Sequence, residues 1–318
     1  MMNKISVVIA TYNGANFIQE QLQSILDQTM AVDEVIIQDD LSKDNTKDVL
    51  TSFIRDKGLE DKFHFLVNEH NLGYASNFVT ALKKATGDYV FFCDQDDIWV
   101  KDRVENMVSA LESDENIGMI GSEFEPFKCS DDAPDVPGWE LAKFKNDGSV
   151  VKLDFNSENI FIGCQGCTMA MKRSFLDEVI GCWYQGWAHD EFVWKLALAE
   201  GKLYFYHKIT LKRRLHSSNV TLHKEHKTEQ RLKYLHDLKK SHEKTKDFLD
   251  TYVRENIAIE ESELSKRIRL LDRHIRATAL RIELIENKKY LNVIKLLGYI
   301  DCYHKARSIP VELVMALR

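Results

Sequence analysis

The chain has 318 residues, 44% hydrophobic and 29% charged, with a formal net charge of −7. That composition excludes a mainly disordered chain and leaves room for one large domain with an appendage. No apolar run approaches the roughly 18 residues that a membrane-spanning helix requires. The N-terminal run MMNKISVVIATYNG has a single lysine and a short apolar stretch, which predicts a first strand rather than a signal peptide and hence a cytoplasmic protein. SVVIAT (6–11) and EVIIQ (34–38) are short β-branched runs, and NFIQEQLQSILDQ between them sets Phe17, Leu22, Ile25 and Leu26 near helical spacing. Cap and turn residues at 42–45 precede a second helix. FHFLVN (63–68) predicts a third strand, NFVTALKKA (77–85) a third helix and DYVFFC (88–93) a fourth strand. Residues 101–118 predict a helix, 119–127 a strand, and 128–150, with Pro134, Pro137, Gly138 and Gly148, a long loop of the kind that serves a site. GCTMAMKRSF (166–175) reads as strand then helix, DEFVWKLALAEG (190–201) as a helix stopped by Gly201, and KLYFYHKITLKRR (202–214) as a strand. This alternation predicts a mostly parallel sheet with helices on both faces, and ligands beyond the carboxyl ends of its strands.

After about residue 222 the texture changes. No glycine occurs between 202 and 297, and Lys, Glu, Leu and Arg dominate. Residues 221–318 carry 21 Lys and Arg against 15 Asp and Glu, a surplus of +6 on an otherwise acidic body. Apolar residues from Leu264 to Ile285 step by four and three, the seam of one helix packed on another, and 289–306 is a shorter amphipathic stretch. The chain therefore divides into a domain over 1–222 and a helical region over 223–318. That region is expected to serve as a brace, as a homo-oligomer interface, or as a contact with an anionic membrane surface. Six cysteines are scattered, and the one CxxC, Cys164 and Cys167, lacks a second ligand pair at zinc spacing, so buried free thiols are expected.

FFCDQDDIW (91–99) places Asp94, Asp96 and Asp97 at the end of a core strand. A solvated acidic turn is one explanation. The other is a hard divalent cation, Mg or Mn, which takes oxygen ligands and substrate phosphates together and so relieves the repulsion. Asp39-Asp40 ends the second strand and Thr11-Tyr12-Asn13 the first, and all three clusters fall at one edge of a parallel sheet. Neither GxGxxG nor GxxxxGK[ST] is present, which argues against an ordinary dinucleotide or P-loop site.

In order, VVIATYNG (7–14), IIQDDLSKDNT (36–46), NLGYASNF (71–78), ATGDYVFFCDQDDIW (85–99), GCTMAMKRSF, HDEFVWKLALAEG (189–201) and RRLHSSNV (213–220) resemble the inverting family 2 glycosyltransferases, over roughly residues 5–220. DQDDIW, HD and RxHxxN resemble the rhamnosyltransferase-type branch most. The resemblance implies a GT-A, Rossmann-like fold and transfer of a sugar from a dTDP- or UDP-sugar, dTDP-rhamnose among them, to a saccharide or lipid-linked saccharide hydroxyl in bacterial-type cell-surface polysaccharide synthesis. It implies that Asp39 accepts the imide N3–H of uracil or thymine, that Thr11, Tyr12 and Asn13 line the nucleotide pocket, and that Asp94, Gln95 and Asp97 position the donor. Asp96 and His216 would hold the metal, Arg214 the diphosphate, and Asn71, Gly73 and Asn77 the donor phosphate or sugar. Asp190 matches the general base, although as the first Asp of a helix its alternative is an N-cap. Tyr74 and Trp99 are candidates to shape the sugar pocket, and Trp183, Tyr184 and Trp187 to stack on an acceptor. Where the family often reads DDGS, this chain has Leu41 in place of glycine, which predicts an altered turn. The alternatives are a sugar-phosphate nucleotidyltransferase, whose Gly-rich, Arg-bearing loop TYNGANF lacks, and a nucleotide-sugar-binding protein without turnover.

Overall fold

The computed structural model describes residues 3–217, 227–304 and 308–317. Among them nine strands join in one sheet: β1 (Ile5–Thr11), β2 (Glu34–Asp39), β3 (Phe63–Val67), β4 (Tyr89–Cys93), β5 (Ile98–Trp99), β6 (Met119–Lys128), β7 (Val150–Lys152), β8 (Ala170–Lys172) and β9 (Leu203–Leu215). The order is β3-β2-β1-β4-β8-β6-β9-β5, with β7 paired to β9. The half that holds β3, β2, β1 and β4 is parallel throughout, while β8 runs antiparallel between β4 and β6. β1 and β4 read as continuous apolar runs because nearly every residue in them is buried, as in a strand covered on both faces. β3 is an edge strand and leaves Leu66 and Val67 exposed.

Two expectations change in detail. The long loop after β6 carries a short helix, Gly138–Leu141, and is pinned where Glu123 accepts the N–H groups of Lys145 at 2.7 Å and Asn146 at 2.9 Å. GCTMAM is not a strand from its start: Gly166–Thr168 closes a 3₁₀ turn, with the Thr168 N–H on the Gln165 carbonyl and the Met169 N–H on that of Gly166, both at 3.0 Å. Only Ala170–Lys172 then pairs with β4 and β6.

The chain divides into two compact units, Met1–Leu153 with Gly163–Val193 and Lys202–Leu222, and Asp154–Ile162 with Trp194–Gly201 and His223–Arg318. The expected boundary at 222/223 lies outside the described residues. Within the second unit, Trp194 Nε1 donates to the Asn159 carbonyl at 2.7 Å, Arg267 to that of Ala199 at 2.8 Å, and Lys195 Nζ to Ser241 Oγ at 2.7 Å. These bonds draw 154–162 and 194–201 into the helical unit. Its long helices, Thr228–Phe248 and Glu261–Glu286, pack on one another, with Leu235 against Ile282 and Ile285. The 264–285 seam is thus filled by the chain's own helix. Arg281 and Glu312, both buried, pair at 2.7 Å.

Candidate active site

The carboxyl ends of β1 and β2 are tied together. Thr11 pairs with Asp39 in register, and the buried Asp39 carboxylate accepts from Thr11 Oγ1 at 2.9 Å, the Ser42 N–H at 2.9 Å and the Ser42 hydroxyl. Asn13 takes a left-handed φ of 52°; its N–H donates to Ser42 Oγ and its Oδ1 accepts from the Lys43 N–H, both at 2.8 Å. Leu41 takes a φ of 65°, so the turn that glycine would favour is kept by a leucine rather than altered. A left-handed conformation costs a non-glycine residue about 1–2 kcal/mol, part of which glycine gives back as chain entropy. Leu41→Gly is therefore expected to raise stability by about 0.5–1 kcal/mol; chemical denaturation checks this, and a loss of stability would contradict it.

Two side chains tie loops to this edge. Gln95 and Tyr12 exchange hydrogen bonds, the Tyr12 N–H to Gln95 Oε1 at 3.0 Å and Gln95 Nε2 to the Tyr12 carbonyl at 3.1 Å. A Cβ on Gly14 would stand 2.2 Å from Gln95 Oε1, so this glycine is what lets the amide approach. Asp40 accepts the N–H groups of Leu72 at 2.7 Å and Gly73 at 2.8 Å. Asn71 donates to the Asp40 carbonyl at 2.9 Å. Asn77 is buried, with Nδ2 on the Gln38 carbonyl and Oδ1 accepting from Asn68, both at 2.8 Å. Asn71, Gly73 and Asn77, expected at the donor, use these polar groups to hold the loop after β3. Gln95 likewise serves as a tie.

The acidic turn after β4 gathers charge in a small volume. His216 Nε2 lies 2.7 Å from Asp96 Oδ2. Asp97 is buried; its Oδ1 accepts the Arg214 N–H at 3.0 Å, and its Oδ2 has no hydrogen-bond partner among the described residues. Burial, then the Asp96 charge, push the Asp97 carboxyl up to about 7, against the opposing pull of Cys167, the Arg214 N–H and Arg213. Asp94 can be reached by solvent, yet the protein crowded around it drives its carboxyl well above the usual range. The charges of Asp97 and Asp96 add to this, Arg213 opposes it, and Asp190 adds a further push.

Arg103 stands behind the cluster, fully buried. It donates to Thr210 Oγ1 at 2.8 Å and to the Cys167 carbonyl at 2.7 Å, and lies over the Trp99 ring at 4.4 Å. Burial lowers its pKa to about 10, so it keeps its charge at neutral pH, and it feels Asp97 and Asp94.

The structure redistributes the two arginines. Arg214 donates to the Asp96 carbonyl at 2.8 Å, pairs with Glu20, and lies over Phe17 and Phe127 at 5.0 and 4.7 Å. Arg214, expected at the diphosphate, here holds the acidic turn through the Asp96 carbonyl. Arg213 is the neighbour whose charge is felt at Asp94 and Asp97. Asn219 of the RxHxxN pattern lies outside the described residues.

Asp94, Asp97 and Cys167 offer ligand atoms within 4.8 Å of one another. Burial and the nearby carboxylates hold the Cys167 thiol well above its usual range, and a hard cation takes carboxylate oxygen in preference to sulfur. Crowded oxygen donors, one of them buried without a partner, fit a hard divalent cation.

Asp190, half-buried in the first turn of the helix His189–Glu200, accepts the Glu191 N–H on Oδ1 at 2.8 Å. A Cβ on Gly166 would lie 3.2 Å from Asp190 Cβ and 3.3 Å from His189 Nε2, so the glycine of the 3₁₀ turn leaves both side chains open on that edge. The buried His189 ring stacks on Phe78 at 4.1 Å, and neither nitrogen has a hydrogen-bond partner among the described residues. Burial lowers its pKa, against the opposing pull of Asp190, and so keeps it neutral. Tyr74 is exposed, whereas Trp99 and Trp187 are core residues and do not meet the sugar-contact expectation; Trp183 donates to the Trp187 carbonyl at 2.9 Å and Tyr184 stacks on its ring. Nothing in the residue pattern points to the contacts of Arg103, Gly14 or Gly166, whose partners are distant in the chain.

The model of the family described as Glycosyl transferase family 2 matches residues 6–180. An uncharacterized glycosyltransferase of Rickettsia prowazekii is 28% identical over 68% of this chain and 65% of its own length. The dTDP-rhamnosyl transferase RfbG of Shigella flexneri is 37% identical over 32% of this chain and 36% of its own. The chain thus spans less than two thirds of these relatives. The crystal structure of S. aureus TarS 1-349 in complex with UDP-GlcNAc superposes with a TM-score of 0.65 at 16% identity, over 98% of this chain and 89% of that one, a likeness of fold.

Proposed function

The chain belongs to glycosyl transferase family 2, and on that premise we propose that it is a metal-dependent inverting transferase. It moves a sugar from a dTDP- or UDP-sugar, dTDP-rhamnose in the first instance, to a saccharide hydroxyl in cell-surface polysaccharide synthesis. The observation that carries this is geometric: a Cβ on Gly166 would lie 3.2 Å from Asp190 Cβ, and the next residue, Cys167, offers its sulfur within 4.8 Å of carboxylate oxygens of Asp94 and Asp97, so a helix-borne carboxylate and the acidic strand end flank one short turn. A relative named for dTDP-rhamnosyl transfer supports the donor class.

In this reading Asp39, oriented by Thr11 and Ser42, receives the base imide proton, with Tyr12 and Asn13 beside it. Asp96 and His216 hold Mg or Mn, aided by Asp94 and Asp97. When bound, that ion offsets charge on the leaving diphosphate. Asp190 takes the acceptor proton as the acceptor oxygen bonds to the anomeric carbon, while the bond from that carbon to the diphosphate oxygen breaks on the opposite face. Arg213 offsets part of the repulsion among the carboxylates, and Arg103 adds positive charge behind them. We place the work at the inner face of a membrane; among the described residues no helix is long and apolar enough to cross one.

Calorimetric titration with UDP, dTDP and GDP, each with and without Mn²⁺, tests this. Uridine and thymidine diphosphates are expected to bind, more tightly with the metal, and GDP weakly. Failure of both pyrimidine nucleotides to bind would sink the proposal. Binding without hydrolysis of any nucleotide-sugar in a donor screen would favour the reading without turnover.

A further inference from the structure

The second unit concentrates its exposed apolar residues in one place. Of the 15 large hydrophobic side chains exposed among the described residues, eight lie between Tyr290 and Leu317, too many for scattered surface chance. Leu291, Ile294 and Leu297 are 76%, 68% and 59% exposed, along the helix Asn292–Leu296 and the start of the 3₁₀ segment Leu297–Cys302. Val314 and Leu317 are exposed on the helix Ser308–Leu317, the latter at 66%.

These segments are anchored, not frayed. Their inner faces supply Val293, Leu296, Tyr303, Ile309 and Ala316 to a cluster with Leu280 and Leu284. Tyr290 Oη donates to the Ala316 carbonyl at 3.4 Å, which sets the start of one exposed row beside the end of the other.

Charge identifies the partner. Residues 288–318 carry six Lys and Arg against two Asp and Glu. Both acids are neutralised within the unit: Asp301 pairs with Arg273 at 2.6 Å, and buried Glu312 pairs with Arg281 and Arg231. Lys288 and Lys295 are exposed beside the apolar row, and Lys289, also exposed, reaches Glu283 at 3.2 Å. A two-fold contact between copies of this chain would set this basic face against the same basic face. An anionic bilayer meets the leucines with acyl chains and the lysines with headgroup phosphates.

We propose that this face docks on an anionic lipid bilayer, with Leu291, Ile294, Leu297 and Leu317 in the headgroup–acyl boundary and Lys288, Lys289 and Lys295 at the phosphates. It goes beyond the transfer reaction and stands or falls apart from it: a chain that binds vesicles but no nucleotide sinks only the proposed activity.

Co-sedimentation of the full chain with phosphatidylcholine vesicles, with and without phosphatidylglycerol, tests it. Binding is expected only to the anionic vesicles and is expected to weaken as salt rises. Lys288→Gln with Lys295→Gln lowers partitioning by about fivefold per charge. Ile294→Ser with Leu297→Ser lowers it at least about tenfold; both positions are exposed, so helicity by circular dichroism stays at the wild-type value. Wild-type protein that does not pellet with anionic vesicles overturns the proposal. So do variants that pellet equally well, and so does a concentration-dependent dimer lost in the Ile294→Ser, Leu297→Ser variant without vesicle binding.

Discussion

Asp190→Asn is expected to lower sugar transfer by about 10²–10⁴-fold while nucleotide affinity stays within about twofold. The amide is nearly the same size, and its Oδ1 can still accept the Glu191 N–H that orients the side chain at 2.8 Å. What it lacks is a lone pair basic enough to take a proton from a sugar hydroxyl. It also removes one of the negative charges that push up the Asp94 carboxyl, so metal-assisted nucleotide binding should hold or improve slightly. Single-turnover transfer and calorimetric nucleotide binding, measured side by side, separate the two effects. Wild-type turnover in this variant would remove Asp190 as the base. Equal loss of binding and turnover would make it a structural residue of the helix start.

Arg103→Met should destabilise the protein by about 3–5 kcal/mol, the usual cost of leaving buried opposite charge uncompensated. Methionine fills much of the volume between Trp99 and Phe91, so packing changes least. Lost are two buried hydrogen bonds, to Thr210 and to the Cys167 carbonyl, and the cation behind Asp94 and Asp97. Arg103→Lys keeps the charge without the two-pronged donor and should fall between. Denaturant unfolding gives the stability, and nucleotide binding at neutral pH gives the effect on the site. A methionine variant as stable as the wild type would mean that Arg103 is not the compensating charge.

The apolar runs of β1 and β4 marked buried strands because a strand covered on both faces needs no polar alternation, and the chain has those strands at the centre of its sheet. The carboxylates at the ends of β2 and β4 were equally legible, since strand direction alone sends them to one edge. Arg213 and Arg214 were not separable in this way. Adjacent residues of a strand face opposite sides, and β9 pairs with β6 through register shifts at Ser122/Glu123 and Glu123/Phe124, so a one-residue slip decides which arginine meets the carboxylates. Leu41 in a left-handed turn, Gly14 beside Gln95 and Arg103 beneath the acidic turn are settled in the same manner, by neighbours far away in sequence. The alternating architecture and the chemistry at its edge are legible along the chain, because periodicity and charge are local properties. Which charges face one another is settled by packing, because register, burial and close approach arise once distant segments meet.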